Sequence, residues 1–184
     1  MAKLLYSATM SADGFIAGAG GDMSWLARFS GGGDEAVAAL IPLIGSILVG
    51  RRTYGGDDPN RGREGEGEPF GGGWSGEQFV LTHDPPAAAP PGINFHTDLG
   101  EAIAAAKRAA GQKYVNVLGA AVARGCLELG LLDEVLVAVA PILLGDGVRL
   151  FDHPGGTEVM LERTEVEVEP NATWIWFKVA GTGD

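Results

Sequence analysis

Three short segments carry the residue types from which a dinucleotide site is made: Gly119-Ala120-Ala121, Gly50-Arg51-Arg52-Thr53 and Thr82-His83. Each follows an apolar run and stands where that run must turn. Tyr114 to Leu118 is apolar with β-branched residues, so it reads as a strand stopping at Gly119. Val122, Cys126 and Leu129 then recur at helical spacing, and Gly130 reads as a left-handed stop. A helix begun in this way leaves its first N–H groups without intrahelical acceptors. Those donors and the positive helix end suit a pyrophosphate, and the small side chains at Gly119, Ala120 and Ala121 let a ligand approach the backbone. A tight connection built for packing alone is the other reading of the same glycine. Arg51 and Arg52 add charge, Thr53 a hydroxyl, and His83 a group able to meet the 2′-phosphate that separates NADPH from NADH. In an open α/β sheet ligands lie at the carboxyl ends of strands, so the three turns are expected to converge on one dinucleotide. Taken singly, each of these side chains also fits a solvated surface role.

The elements that would hold these turns can be read along the chain. Leu4 to Met10 is a buried first strand, and Glu35 to Ile44 is helical, fraying near Pro42. Ser46 to Val49 and Gln78 to Leu81 are further strands. Asp98 caps a helix, with Glu101 three residues on and Leu99, Ala102, Ile103 and Ala106 as its buried stripe. Glu134 to Ala140 places Val135, Val137 and Val139 on one face, and Pro141 ends its pairing. Val159 to Glu169 alternates with acids and reads as a strand with one wet face. Trp174 to Val179 returns as its antiparallel partner, covered on both sides. Residues 55 to 76 are rich in glycine and charge and read as a flexible surface insertion that contributes nothing to a core.

Composition limits the function classes. At 184 residues with 46% hydrophobic content, residues 1–184 are expected to form a single domain with a sizeable core. Lys and Arg number 13 against 24 Asp and Glu, and the net charge of −11 argues against nucleic acid or an anionic membrane as partner. A single cysteine excludes an internal disulfide and a CxxC metal site, which fits a cytoplasmic protein. Cys126 sits inside the helical pattern and reads as core. His96 and His153 lack ligand spacing, so no metal is assigned. No signal peptide is read at the start, and no apolar run approaches the roughly 20 residues of a membrane helix.

With these pieces in order, the chain resembles the dihydrofolate reductase-like superfamily, and within it the riboflavin-biosynthesis reductases, the RibD C-terminal domain. The resemblance rests on SATMSADGFIAG at 7 to 18, LVGRRTY at 48 to 54, FVLTHDPP at 79 to 86, VNVLGAAVA at 115 to 123 and LGLLDEVLVAVAPILLGDGVRLF at 129 to 151. It implies a single α/β domain: a mixed, mostly parallel sheet, helices on both faces and a C-terminal antiparallel strand pair. It implies NADPH across the strand ends, with Gly50, Arg51, Arg52 and Thr53 facing phosphates and Thr82 and His83 flanking the adenosine. Gly119, Ala120, Ala121, Val122 and Ala123 would cradle the pyrophosphate, and Thr9 and Ile16 would lie against nicotinamide. The segment DGFIAGAGGDMSW resembles a mobile loop that closes over the ring. The reaction implied is that of a 5-amino-6-(5-phosphoribosylamino)uracil reductase, an NADPH-dependent hydride transfer to a ribosylaminopyrimidine, by a homodimer.

The match has departures. The family carries two or three glycines where this chain has Gly119, Ala120 and Ala121. The acid that dihydrofolate reductases place after the tryptophan has no counterpart in Arg28-Phe29-Ser30-Gly31, so dihydrofolate reduction is not expected and no catalytic acid is assigned. The zinc signature of the deaminase half is absent as well. Asp34 stands nearby and reads either as a substrate contact or as a helix cap, with Glu35 as a first-turn acid. Asp13 either meets a substrate hydroxyl or only begins the turn at Gly14. Trp25 lines the substrate cavity or packs the loop, and Glu134 faces the pocket or forms a structural corner. Two other functions stay open: a stand-alone reductase of an unrelated carbonyl or imine, and a non-catalytic nucleotide-binding module.

Overall fold

Alternation along Leu4–Ser11 puts Leu4, Tyr6, Ala8 and Met10 on one side of a strand and Leu5, Ser7 and Thr9 on the other. A strand buried on both faces belongs in the middle of a sheet. A computed structural model of the chain, describing residues 1–29, 35–62, 64–156 and 158–181, places it there as β1. The other strands are β2 (Phe15–Ala17), β3 (Ile44–Gly50), β4 (Glu77–Leu81), β5 (Ile93–His96), β6 (Tyr114–Leu118), β7 (Glu134–Ala140), β8 (Val148–Arg149), β9 (Leu161–Val168) and β10 (Thr173–Val179). The helices are α1 (Glu35–Leu40), α2 (Arg51–Tyr54), α3 (Leu99–Ala110) and α4 (Ala120–Glu128). The main sheet has eight strands in the order β5-β4-β3-β6-β1-β7-β10-β9. It is parallel from β5 to β7 and antiparallel across β7, β10 and β9. The mixed, mostly parallel sheet with a C-terminal antiparallel pair is therefore as expected.

Each face carries its own core. Ala102, Ile103, Ala106 and Ala110 of α3 and Val122, Ala123 and Cys126 of α4 pack on Leu4, Tyr6, Val115 and Val117. On the opposite face Leu40, at the end of α1, joins Leu5, Ile47, Val49, Leu136 and Trp174. Asp98 accepts a hydrogen bond from the Glu101 N–H at 2.8 Å, a cap worth about 1 kcal/mol. Gly45 is required by close packing, because a Cβ there would come 2.5 Å from the Ala110 carbonyl oxygen.

Four readings change. The helix from Glu35 ends at Leu40 and gives way to a tighter turn at Ile41–Leu43, where Pro42 lacks the N–H needed to continue it. β9 is exposed on both faces, since it forms the sheet edge and no described helix covers it. Trp74 falls inside the glycine-rich 55–76 segment yet is buried, and its indole N–H donates to the Ile44 carbonyl at 3.1 Å. That segment thus adds a side chain to the α1-side core. β2 and β8 form a separate antiparallel pair, and β5 completes the far sheet edge; neither pairing was expected from the sequence.

Candidate active site

Register brings the turns level. Gly50 lies opposite Leu81, and Val49 lies opposite Leu118, so β3, β4 and β6 end together. At this edge the backbone of Gly119 adopts φ +92°, and a Cβ there would overlap Thr53 Oγ1 and lie 3.4 Å from Thr53 Cβ. A Cβ on Gly50 would meet Val122 Cγ2 at 3.1 Å. The turns after β3 and β6 are therefore in contact, and only residues without side chains fit between them. No side chain caps α4 at Gly119, so its leading amides, including those of Ala121 and Val122, have no acceptor within the helix. Ala120 is half-buried and Ala121 exposed, whereas Val122 and Ala123 point into the core; Val122 can offer only its backbone N–H, and that of Ala123 already donates to the Gly119 carbonyl at 3.1 Å.

Around this cradle stand Arg51, Arg52 and Thr53, all exposed. The Arg51 guanidinium lies 5.9 Å from the Tyr54 ring centre, a cation–π contact that steadies it. Thr82 is buried at the end of β4, where its hydroxyl accepts from the Asp84 N–H at 3.2 Å; His83 beside it is exposed. Two arginines, unfilled helix amides and a glycine that excludes a Cβ make a donor set that fits a dinucleotide pyrophosphate. Thr9 lies on the α1-side face of β1, opposite Ala138, and Ile16 is half-buried in β2.

The substrate candidates are not all brought to this edge. Glu134 opens β7 at the other end of the sheet, opposite Leu5, and is engaged by Lys3 Nζ at 2.6 Å and the Tyr114 hydroxyl at 2.7 Å. It is a structural corner there. The Asp13 carboxylate is also committed, accepting from the Ser11 hydroxyl at 2.6 Å and from the N–H groups of Leu144 and Gly145. These bonds hold its carboxyl down at about 2, the Ser11 bond contributing most. The start of the expected mobile loop is therefore tied down: Phe15 pairs with Arg149, and the Leu150 N–H donates to the Gly14 carbonyl at 2.8 Å. Trp25 is buried within the turn Ser24–Arg28, with its indole N–H unpartnered among the described residues. Asp34 lies outside the described residues.

Two groups were missed by the sequence reading, Glu169 near the turns and Asn116 deeper in the sheet, opposite Leu5. Glu169, after β9, accepts from the Ala36 N–H at 3.1 Å and the Trp174 indole at 2.8 Å, fastening α1 to the β10 side. The fully buried Asn116 accepts a 2.8 Å hydrogen bond from the Ser7 hydroxyl. A polar residue inside each of the apolar runs LLYSATM and YVNVL was the available signal. A separate apolar hollow of about 370 Å³, lined by Tyr6, Leu127, Val135, Phe151 and Val179 among others, lies on the α4 side away from these turns.

The family model of the RibD C-terminal domain matches residues 2–85 and 77–174. The chain belongs to the RibD C-terminal domain family. A curated relative, the uncharacterized protein YwjB of Bacillus subtilis (strain 168), is 26% identical over 149 residues, covering 80% of this chain and 81% of YwjB. Among solved structures, a putative riboflavin biosynthesis protein from Shewanella sp. PV-4 shares the fold with TM-score 0.73 at 24% identity, covering 98% of this chain and 99% of that one. A deaminase/5-amino-6-(5-phosphoribosylamino)uracil reductase from Thermotoga maritima gives TM-score 0.69 at 17% identity, covering 97% of this chain and 57% of that one. Riboflavin biosynthesis reductase Rib7 of Saccharomyces cerevisiae gives 0.65 at 14% identity, with coverages of 97% and 90%. These solved structures share the fold of this chain. No described helix is long and apolar enough to cross a membrane.

Proposed function

We propose that this chain is an NADPH-dependent reductase that delivers hydride to a ribosylaminopyrimidine or related small heterocycle, in the manner of 5-amino-6-(5-phosphoribosylamino)uracil reductase. The observation carrying this reading is the contact between the Gly119 turn and Thr53 at the shared ends of β3 and β6, in a RibD-family chain. The Thermotoga maritima and yeast relatives bear the names of riboflavin-biosynthesis reductases, which supports the substrate class.

In this reading the amides of Gly119 to Val122 hold pyrophosphate, with Ala123 closing the first helical turn onto Gly119, while Gly50, Arg51, Arg52 and Thr53 gather the phosphates. Thr82 and His83 flank adenosine. Thr9 and Ile16 border the nicotinamide, which supplies the hydride when bound. The protein orients the reacting carbons and excludes water. Asp13 serves by holding the loop in place. Two copies form the working unit, and a cytoplasmic setting suits the buried thiol of Cys126.

Titration with NADPH and NADH, followed by NADPH oxidation with the phosphoribosylaminopyrimidine, tests the reading. Tighter NADPH binding and substrate-dependent oxidation are expected. Oxidation only by an unrelated carbonyl or imine would leave a different reductase, and failure to bind either dinucleotide would refute a reductase altogether.

A further inference from the structure

Two separate fastenings hold the segment after β1. The first is a clasp: the Asp13 carboxylate takes the Leu144 and Gly145 N–H groups, Phe15 and Ala17 pair with Arg149 and Val148, and a Cβ on Gly147 would overlap the Ala17 carbonyl oxygen. Past the clasp the chain bends at Gly20 and Gly21, whose φ values are +71° and +86°, and a Cβ at either would meet nothing within 4 Å. Two adjacent glycines in open space are what a hinge needs. Beyond them residues 22–29 form a short flap. Its turn Ser24–Arg28 carries the buried Trp25, which meets the Phe29 ring edge-on at 6.1 Å.

The second fastening joins this flap to the end of α2. The Met23 N–H donates to Asp57 Oδ2 at 3.0 Å, and Asp57 Oδ1 pairs with Arg61 at 2.5 Å. A carboxylate accepting from a backbone amide makes a stronger bond than a neutral acceptor would. The Asp57 side chain is only 22% exposed, although it follows a glycine pair in a surface segment. Its backbone is tied to the helix before it. The Gly55 N–H donates to the Arg51 carbonyl at 3.0 Å, and a Cβ on Gly56 would overlap the Arg52 carbonyl oxygen. Asp57 therefore moves with the short helix that bears Arg51 and Arg52. The Asp22 carboxylate stands beside Asp57, and Arg28 and Arg61 offset the two charges.

We propose that Asp57 is a positioning residue that latches the flap to α2, so that engagement of a dinucleotide phosphate by α2 and closure of the flap become one event. The coupling rests on the reductase reading for the ligand at α2; the latch itself does not.

Amide hydrogen exchange of the full chain, resolved at Met23 by NMR, and stopped-flow release of NADPH test this in Asp57→Ala and Asp57→Asn. Alanine removes the acceptor, whereas asparagine keeps an amide oxygen for the Met23 N–H and sheds the charge facing Asp22. In Asp57→Ala, exchange at Met23 should quicken at least fivefold, and NADPH should leave at least fivefold faster with an unchanged association rate. Asp57→Asn should return both to within twofold of the unsubstituted chain. Tm should fall by no more than about 2–4 °C in either variant, so loss of the fold does not account for the change. Met23 exchange that is the same in Asp57→Ala and the unsubstituted chain, an asparagine variant as loose as alanine, or NADPH release unaffected in Asp57→Ala overturns the proposal. Failure of the reductase reading looks different: the unsubstituted chain binds no NADPH while Met23 exchange still depends on Asp57, which upholds the latch and removes only the ligand assigned to α2.

Discussion

Asp13 and Gly145 lie 132 residues apart in sequence and are joined by a 2.7 Å hydrogen bond from the Gly145 N–H to the Asp13 carboxylate. With the Leu144 N–H at 3.1 Å, this bond fastens the turn after β1 to the segment after β7. The Ser11 hydroxyl, followed by those amides, outweighs desolvation and sets the Asp13 carboxyl at about 2, below its ordinary 3.8. A depressed carboxyl stabilises the fold fully above its unfolded-state value, and that contribution fades as pH falls through the folded value. Asp13→Asn is therefore expected to lose less stability than the parent between pH 3.8 and about 2, as measured by urea unfolding across that range.

Gly119 combines a left-handed backbone with contact to Thr53, so a side chain there meets two obstacles. Gly119→Ala should lower both Tm and NADPH affinity. Adding Thr53→Ala removes the overlapping hydroxyl and should recover part of the loss, leaving the backbone cost of about 1–3 kcal/mol for a side chain at φ +92°, ψ 134°. Thermal melts of the single and double variants check this, and an absence of any recovery would show that the contact is not limiting.

Arg52 is exposed beside the cradle, free of the ring contact that engages Arg51. If it meets the 2′-phosphate, Arg52→Ala should weaken NADPH by about tenfold, roughly 1.4 kcal/mol, with little change for NADH. Equal losses for both dinucleotides would assign it to the shared phosphates.

Glu134 ties Lys3 to Tyr114 at the opposite end of the sheet. Glu134→Gln should cost about 1 kcal/mol or less in stability and leave turnover intact, since Lys3 is half exposed and the amide oxygen can still accept from Lys3 or Tyr114. A specific fall in kcat at unchanged stability would contradict a structural corner.

The Cys126 thiol is buried against the sheet, and burial pushes it up to about 12. Only a thiolate attacks disulfide reagents. Labelling with an aromatic disulfide should be negligible in the native chain and complete after unfolding.

Most of the scaffold was legible because both faces of the central strands are apolar and each turn is marked by glycine or proline. Asp98 and Glu101 announced their cap, and the Gly119 turn announced its helix. Less legible was whatever depends on partners distant in sequence. Trp74 sits among glycines, so its place against Ile44 cannot be inferred from neighbours. Glu134 and Asp13 look alike as loop acids beside strands, and only the register separates the end bearing the turns from the end bearing Lys3. Ser7 and Asn116 lie within apolar runs whose strand character masked their chemistry. β9 alternates like a half-covered strand, yet nothing in its own residues tells that it stands at the margin.

The strand order carries a consequence for how the chain comes together. β1 sits between β6 and β7, so Leu4 must wait for Val115 and Leu5 for Glu134 before either side of it is satisfied. During synthesis this greasy segment emerges long before its companions, and loop closure over that span is slow. Nascent chains halted before residue 134 should therefore be sticky clients of holding chaperones, and release would follow only once the ribosome has delivered β7.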